Sequence, residues 1–161
     1  MRLASILWIV LTLLPASGWS TAHAQDGLSK PQQGRYRELI AKALQEYQLG
    51  HWPEARVFFS DAHAMWPNAR TYRGLGMTCY EARNYVEATQ FLEQALENQT
   101  QPLTDKLAAE ARNILEQAKR FVTSAYITVT PDGATVTVDD KQFERRFDGA
   151  VLLDPGEHQL D

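Results

Sequence analysis

Two periodicities divide the chain. Between residues 36 and 122 apolar side chains recur at spacings of three and four, as they do on one face of a helix. After Ser124 they alternate instead, as in Ile127 and Val129 and again in Ala134, Val136 and Val138. The first regime predicts amphipathic helices over residues 36–49 and 71–81, each followed by a second helix, and a further helix over residues 102–122 with Pro102 in its first turn. The second regime predicts two short strands within residues 127–138, joined at Pro131-Asp132-Gly133, with later turns at Asp139-Asp140 and at Asp154-Pro155-Gly156.

The helical part contains an internal repeat. Trp52 matches Tyr85, Ala55 matches Ala88, Phe59 matches Leu92 and Ala62 matches Ala95, each pair 33 residues apart. Alanines and bulky side chains on one face allow two helices to approach closely while the large residues fill the remaining volume. Glu87 falls off this face and is read as a surface position. The unit is a helix hairpin used twice, with Gly50 or Arg83-Asn84 at the turn. Residues 102–122, with Leu103, Leu107, Ala111, Ile114, Leu115 and Ala118 at helical spacing, are expected to cap the stack.

The first 24 residues have a different character. Arg2 precedes an almost wholly apolar run from Leu3 to Leu14, and Pro15 and Gly18 break it before Ala22-His23-Ala24. This is the order of a secretory signal peptide cleaved before Gln25, and the run falls short of the roughly 20 residues that span a bilayer. The expected organisation is a signal peptide at 1–24, a flexible leader at 25–34, a helical domain at 35–123 and a β module at 124–161. No transmembrane span is expected after cleavage.

Charge follows the same division. Residues 25–123 carry twelve acidic and twelve basic side chains, whereas residues 124–161 carry eight acidic and three basic ones. With a formal net charge of -4 for the whole chain, there is no basic excess to neutralise phosphates, so nucleic acid is not an expected partner. The single cysteine, Cys79, excludes an intramolecular disulfide and a zinc site built on two thiolates.

The repeated hairpin resembles the tetratricopeptide repeat over residues 34–98. Tyr72, Leu75-Gly76, Cys79, Tyr85, Ala88, Leu92 and Ala95 stand at that family's characteristic places, as do Leu39, Ala43, Gly50, Trp52, Ala55, Phe59, Ala62 and Pro67 in the first copy. Departures are Lys42 and Glu46 at usually apolar places, Arg83 for the turn glycine and Thr100 for the closing proline. Pro131-Asp132-Gly133-Ala134, Val136-Thr137-Val138-Asp139 and Leu153-Asp154-Pro155-Gly156-Glu157-His158 resemble the first half of a PEGA domain, a small extracytoplasmic β module of bacteria. The resemblance implies an α+β protein: a short all-α solenoid with a capping helix, then a small antiparallel β module that is a fragment or ends with an unpaired strand near residues 158–161. It also implies a periplasmic or outer-surface protein of the bacterial envelope.

Candidate chemistry is sparse. His51, His63 and His158 show no metal-ligand spacing, and the aspartates of the β module lack a calcium-loop pattern, so no metal or cofactor is expected and turn formation explains the aspartates. Cys79 points inward among Tyr72, Leu75 and Gly76 and reads as a buried, inert thiol. Asn98-Gln99-Thr100 fits a glycosylation sequon, meaningful only in a eukaryotic secretory path. No phosphate loop, nucleophile elbow or paired-carboxylate pattern is present, and no enzymatic activity is expected.

One surface stands apart. With Leu75, Gly76 and Cys79 in the core, Arg70, Arg73, Met77 and Tyr80 form the opposite stripe of their helix, and Arg37, Ile40, Leu44 and Tyr47 occupy the same relative places one repeat earlier. Tetratricopeptide folds bind partner segments along the face made by first helices, so the resemblance implies a partner-binding groove with Arg37, Tyr47, Arg70, Arg73, Met77 and Tyr80. Its ligand would be a protein or peptide segment, acidic or carrying a free carboxylate, since arginine forks carboxylates and tyrosine combines apolar area with a polar tip. The competing expectation is a solvated face. For the whole chain the expectation is a non-catalytic interaction scaffold whose β module contacts an envelope component, against two alternatives: a structural spacer, or an ectodomain of a larger membrane-anchored or regulatory protein.

Overall fold

Ser29 and Gln32 start the first helix. Gln32 Oε1 accepts from the Ser29 amide at 2.9 Å and from its hydroxyl at 2.7 Å, while Pro31 occupies the first turn, where its missing N–H costs nothing. The helix α1 therefore runs Lys30–Leu49, and residues 30–34 are helical rather than part of a flexible leader. The computed structural model describes residues 28–128, 137–142 and 149–161. The expected signal peptide with its expected cleavage site, the turn at Pro131-Asp132-Gly133 and the expected strand residues 129–136 lie outside the described residues.

Among the described residues four more helices follow: α2 Trp52–Met65, α3 Ala69–Glu81, α4 Tyr85–Glu97 and α5 Asp105–Lys119. Each packs against the next in chain order, and the short turns at residues 50–51 and 82–84 make α1/α2 and α3/α4 hairpins. The repeat is visible in the backbone bonds. His51 N–H donates to the Glu46 carbonyl at 3.0 Å, and 33 residues later Asn84 N–H donates to the Cys79 carbonyl at 2.9 Å. Both helix ends turn through a left-handed residue, Gly50 at φ 78 and Arg83 at φ 63. Arginine accepts the strain that glycine avoids at the equivalent place.

The core is a column running through the stack. Ala43, Phe59 and Leu75 form one layer, Cys79, Ala88 and Ala118 another, and Leu92, Ala111 and Leu115 a third. The four repeat alanines, Ala55, Ala62, Ala88 and Ala95, are all buried. Two glycines of α3 set the spacing: a Cβ on Gly74 would stand 2.4 Å from Phe59, and one on Gly76 would stand 2.7 Å from Leu92. Asn68 caps α3 by accepting from the amides of Arg70 at 3.0 Å and Thr71 at 3.1 Å, so that helix starts at Ala69. Thr104 caps α5, which starts at Asp105 and leaves Pro102 outside the helix.

Glu87 is not a neutral surface position. Its carboxylate forks the Arg56 guanidinium, with the longer of the two bonds at 3.1 Å, and ties α4 to α2.

Strands complete the α+β architecture. Strand β1, Thr123–Ala125, pairs antiparallel with β4, Val151–Leu153, while β2, Thr137–Val138, pairs with β3, Lys141–Gln142. Strand β1 thus begins before the expected residue 127, and residues 127–128 lie outside the strands. Asp139 and Asp140, at φ 52 and 63, make the tight turn between β2 and β3 expected of them. The terminal residues 159–161 are not an unpaired strand. Thr137 N–H donates to the Asp161 carbonyl at 2.9 Å and Asp139 N–H to the Gln159 carbonyl at 3.0 Å, so they pair beside β2. The strands are fastened to the helices by Asp154, whose Oδ1 accepts from the Val86 amide in the first turn of α4 at 2.8 Å. Asn84, the residue at that helix start, supplies no side-chain cap, and an aspartate from the far end of the chain does so instead.

Overpacking the central layer tests this register. Ala88→Leu should destabilise the chain by about 1–3 kcal/mol, because the added methylenes meet Cys79 and Ala118 in a closed space, whereas the exposed Gln94→Ala on the same helix should change little. Denaturant midpoints measure both, and equal midpoints would place Ala88 outside the core.

Candidate binding groove

A groove of about 730 Å³ opens beside the first helices of the stack. Ile40 and Leu44 of α1, Met77 of α3, Leu103 just before α5 and Leu107 in its first turn give it an apolar lining, and Phe59 with Gly74 forms part of its wall. Three arginines reach it, Arg37 from α1 and Arg70 and Arg73 from α3. The helical period explains the convergence: Leu39, Ala43, Leu75 and Cys79 point into the core, so positions offset by about half a turn point into the concave side.

The arginines differ in their electrostatic state. Arg73 NH2 donates to Glu110 Oε2 at 2.7 Å, bridging α3 to α5, and its side chain is only 19% exposed. Its Nε is buried without an acceptor among the described residues, an unmade bond of the kind that costs about 1–3 kcal/mol. Arg37 donates from Nε to the Gln33 carbonyl at 3.2 Å, and both Arg37 and Arg70 are exposed. Among the described residues neither has a carboxylate partner.

Tyr47 closes the end of the groove. Its hydroxyl donates to Glu81 Oε1 at 3.3 Å and its ring stands edge-on to Trp52 with centroids 5.0 Å apart. Burial, followed by the adjacent Glu81 charge, pushes its pKa up to about 12, against an opposing effect of Arg73, so the phenol is a neutral donor at physiological pH.

Five of the six residues expected of the groove therefore surround one concavity. Tyr80 does not: its hydroxyl donates to Gln117 Oε1 on α5 at 3.1 Å and its ring packs edge-on against Tyr85. The capping helix covers the C-terminal end of the stripe and takes Tyr80 for its own packing. Sequence reasoning missed Leu28, Gln33, Tyr36 and Trp66, which line the other end. Tyr36 and Trp66 meet edge-on at 5.6 Å, and Asn68 Nδ2 donates to the Tyr36 hydroxyl at 2.9 Å, so the cap of α3 also holds the groove wall. The Ser29-x-x-Gln32 capping signature was the available signal that α1 begins early enough to contribute Gln33.

The remaining chemistry-bearing residues have structural partners. His63 Nδ1 lies 2.9 Å from Thr71 Oγ1, and burial lowers its pKa. Asn98 Oδ1 accepts from Thr100 N–H at 2.8 Å, a turn made by the residue that heads the sequon. Among the described residues no group of three His, Cys, Asp or Glu could hold a metal ion, and no helix is long and apolar enough to cross a membrane. Comparison with protein-family models, with curated proteins and with solved structures returned no match.

Cys79 is fully buried, and burial pushes its pKa up to about 12 despite the nearby Arg56 charge. Since the thiolate is the nucleophile, the folded chain should resist alkylation by iodoacetamide at about pH 8 and react in concentrated guanidinium. Intact mass reads the modification, and rapid labelling of the native chain would contradict the burial.

Proposed function

We propose that the chain is a secreted, non-catalytic interaction scaffold of the bacterial envelope. Its helices form a short tetratricopeptide-like solenoid that takes a protein segment in the groove, and its strands form a PEGA-like module that contacts an envelope component. The order of charge, apolar run and Ala22-His23-Ala24 supports export.

The observation that carries the binding reading is the groove itself: an apolar trough rimmed by Arg37 and Arg70, which have no carboxylate partner among the described residues, with the buried Arg73 Nε on its wall. An acidic segment with one or two large apolar side chains matches that chemistry. Its carboxylates pair with the rim, its side chains fill the trough beside Leu44 and Met77, and a carbonyl or carboxylate oxygen supplies an acceptor for Arg73. The apolar lining gives contact area and the arginines give orientation and specificity.

A set of short synthetic peptides, acidic and apolar, with free or amidated C-termini, tests the reading by fluorescence anisotropy on the chain from Gln25 onward. Acidic peptides should bind, and Arg37→Glu combined with Arg70→Glu should weaken them by at least about tenfold, because each charge-assisted bond contributes about 1.5–3 kcal/mol before salt screening. Both arginines are exposed, so the helical circular dichroism should not change. Binding that is equal in the double variant, or absent for every acidic peptide, would contradict the groove's assignment.

A further inference from the structure

The two ring nitrogens of His158 both face groups that accept hydrogen bonds. Nδ1 lies 2.6 Å from Asp139 Oδ2, and Nε2 lies 2.7 Å from the Asp154 carbonyl oxygen. A neutral imidazole has one N–H and one lone pair, so it satisfies only one of these partners and sets lone pair against lone pair at the other. Holding both contacts takes one more proton than a neutral ring beside a carboxylate possesses. Imidazole is the stronger base of the two, with an ordinary pKa of about 6.5 against about 3.9 for aspartate, so that proton rests on His158.

The two acceptors belong to different turns. Asp139 is the left-handed first residue of the turn between β2 and β3, and its Oδ1 accepts from the Gln159 amide at 2.9 Å. Asp154 begins the bend after β4, and its own carboxylate caps α4 through Val86. A continuous line of bonds therefore runs from the first turn of α4 through Asp154 and His158 to the β2–β3 turn.

We propose that His158 is a proton-operated latch: charged, it ties the β2–β3 turn to the bend that caps α4, and its deprotonation loosens the hold of the strands on the helices. The charged groups around it are acidic on the strand side, Asp139 and Asp154 in contact with it and Asp140 and Glu157 beside them in sequence. Where the bend meets the helices, Glu87 and Arg56 pair with each other next to the buried Cys79 thiol, which also feels the Asp154 charge. Losing the imidazolium would leave the Asp139 carboxylate and the Asp154 carbonyl on either side of a ring that bonds only one of them.

The bond to Asp139, and after it the bond to the Asp154 carbonyl, raises the pKa of His158 above 6.5. A raised pKa means that the folded state binds the proton more tightly than the unfolded chain does. The latch's contribution is complete below about pH 6.5 and is lost as pH rises through the higher folded value.

Nuclear magnetic resonance on the chain from Gln25 onward tests this directly. The His158 ring protons should titrate above 6.5, and Asp139→Asn should move that midpoint down toward the ordinary value. Amide exchange at Val86 and Thr137, corrected for base catalysis, should lose about tenfold protection as pH passes the midpoint, while Leu92 in the helix core keeps its own. His158→Gln should abolish the pH dependence at Val86. Titration of His158 at or below 6.5, or protection at Val86 that does not change with pH, would overturn the latch, and both readings come from the unmodified chain even if a variant fails to fold.

Discussion

The architecture depends on how closely α3 lies against its two neighbours. Gly74 and Gly76 present bare backbone on opposite sides of that helix, one to the Phe59 ring of α2 and the other to Leu92 of α4. Close approach of this kind gives dense contact between elements that bury little area individually, and it fixes the angle at which successive hairpins stack. Gly74 also borders the groove together with Phe59, so the contact that holds the first hairpin to the second shapes the wall of the concave face. The helix that supplies the spacing supplies three of the groove's side chains, Arg70, Arg73 and Met77. Stability and recognition are thereby tied to one element.

The strands depend on the helices in a different way. Their described pairings are only two or three residues long, and small sheets of that size have little independent stability. Asp154 compensates by placing a carboxylate at the positive end of α4, where it satisfies an amide left open by the helix and interacts favourably with its dipole. His158 then links this anchor to the β2–β3 turn. The acidic character of residues 124–161 acquires a structural meaning in part: Asp139 and Asp154 are acceptors for specific amides and one imidazole.

Much of this was legible in the sequence where the information is local. The 33-residue pairing of Trp52 with Tyr85 and Ala55 with Ala88 carries the repeat, and the hydrogen bonds at His51 and Asn84 repeat at the same interval. The stripe from Arg37 to Met77 follows from helical geometry once the core face is known. What was not legible depends on contacts between distant segments. Tyr80 satisfies the stripe's spacing, but α5 covers it, and no periodicity within α3 records that. Alternation at residues 127–138 marks strand character without naming a partner, whereas Thr123–Ala125 pairs with Val151–Leu153 across a long separation. The capping of α4 by Asp154 joins residues 68 apart and leaves no signal in either segment. Ser29 and Gln32 were readable, and the glycine and proline beside them concealed a helix start.

The central claim is that bare backbone at two positions of α3 sets the stack, and three alanine substitutions test it with a control inside the same molecule. Gly34 lies in α1 with nothing near its missing side chain among the described residues, so Gly34→Ala should be neutral or stabilise by up to about 1 kcal/mol through helix propensity alone. Gly74→Ala and Gly76→Ala gain the same propensity but drive a methyl into Phe59 or Leu92, and each should instead lose about 1–3 kcal/mol. Urea denaturation of the three variants against the unmodified chain separates the outcomes. Destabilisation confined to the two α3 positions is the predicted result, and Gly74→Ala and Gly76→Ala unfolding at or above the midpoint of Gly34→Ala would contradict the account.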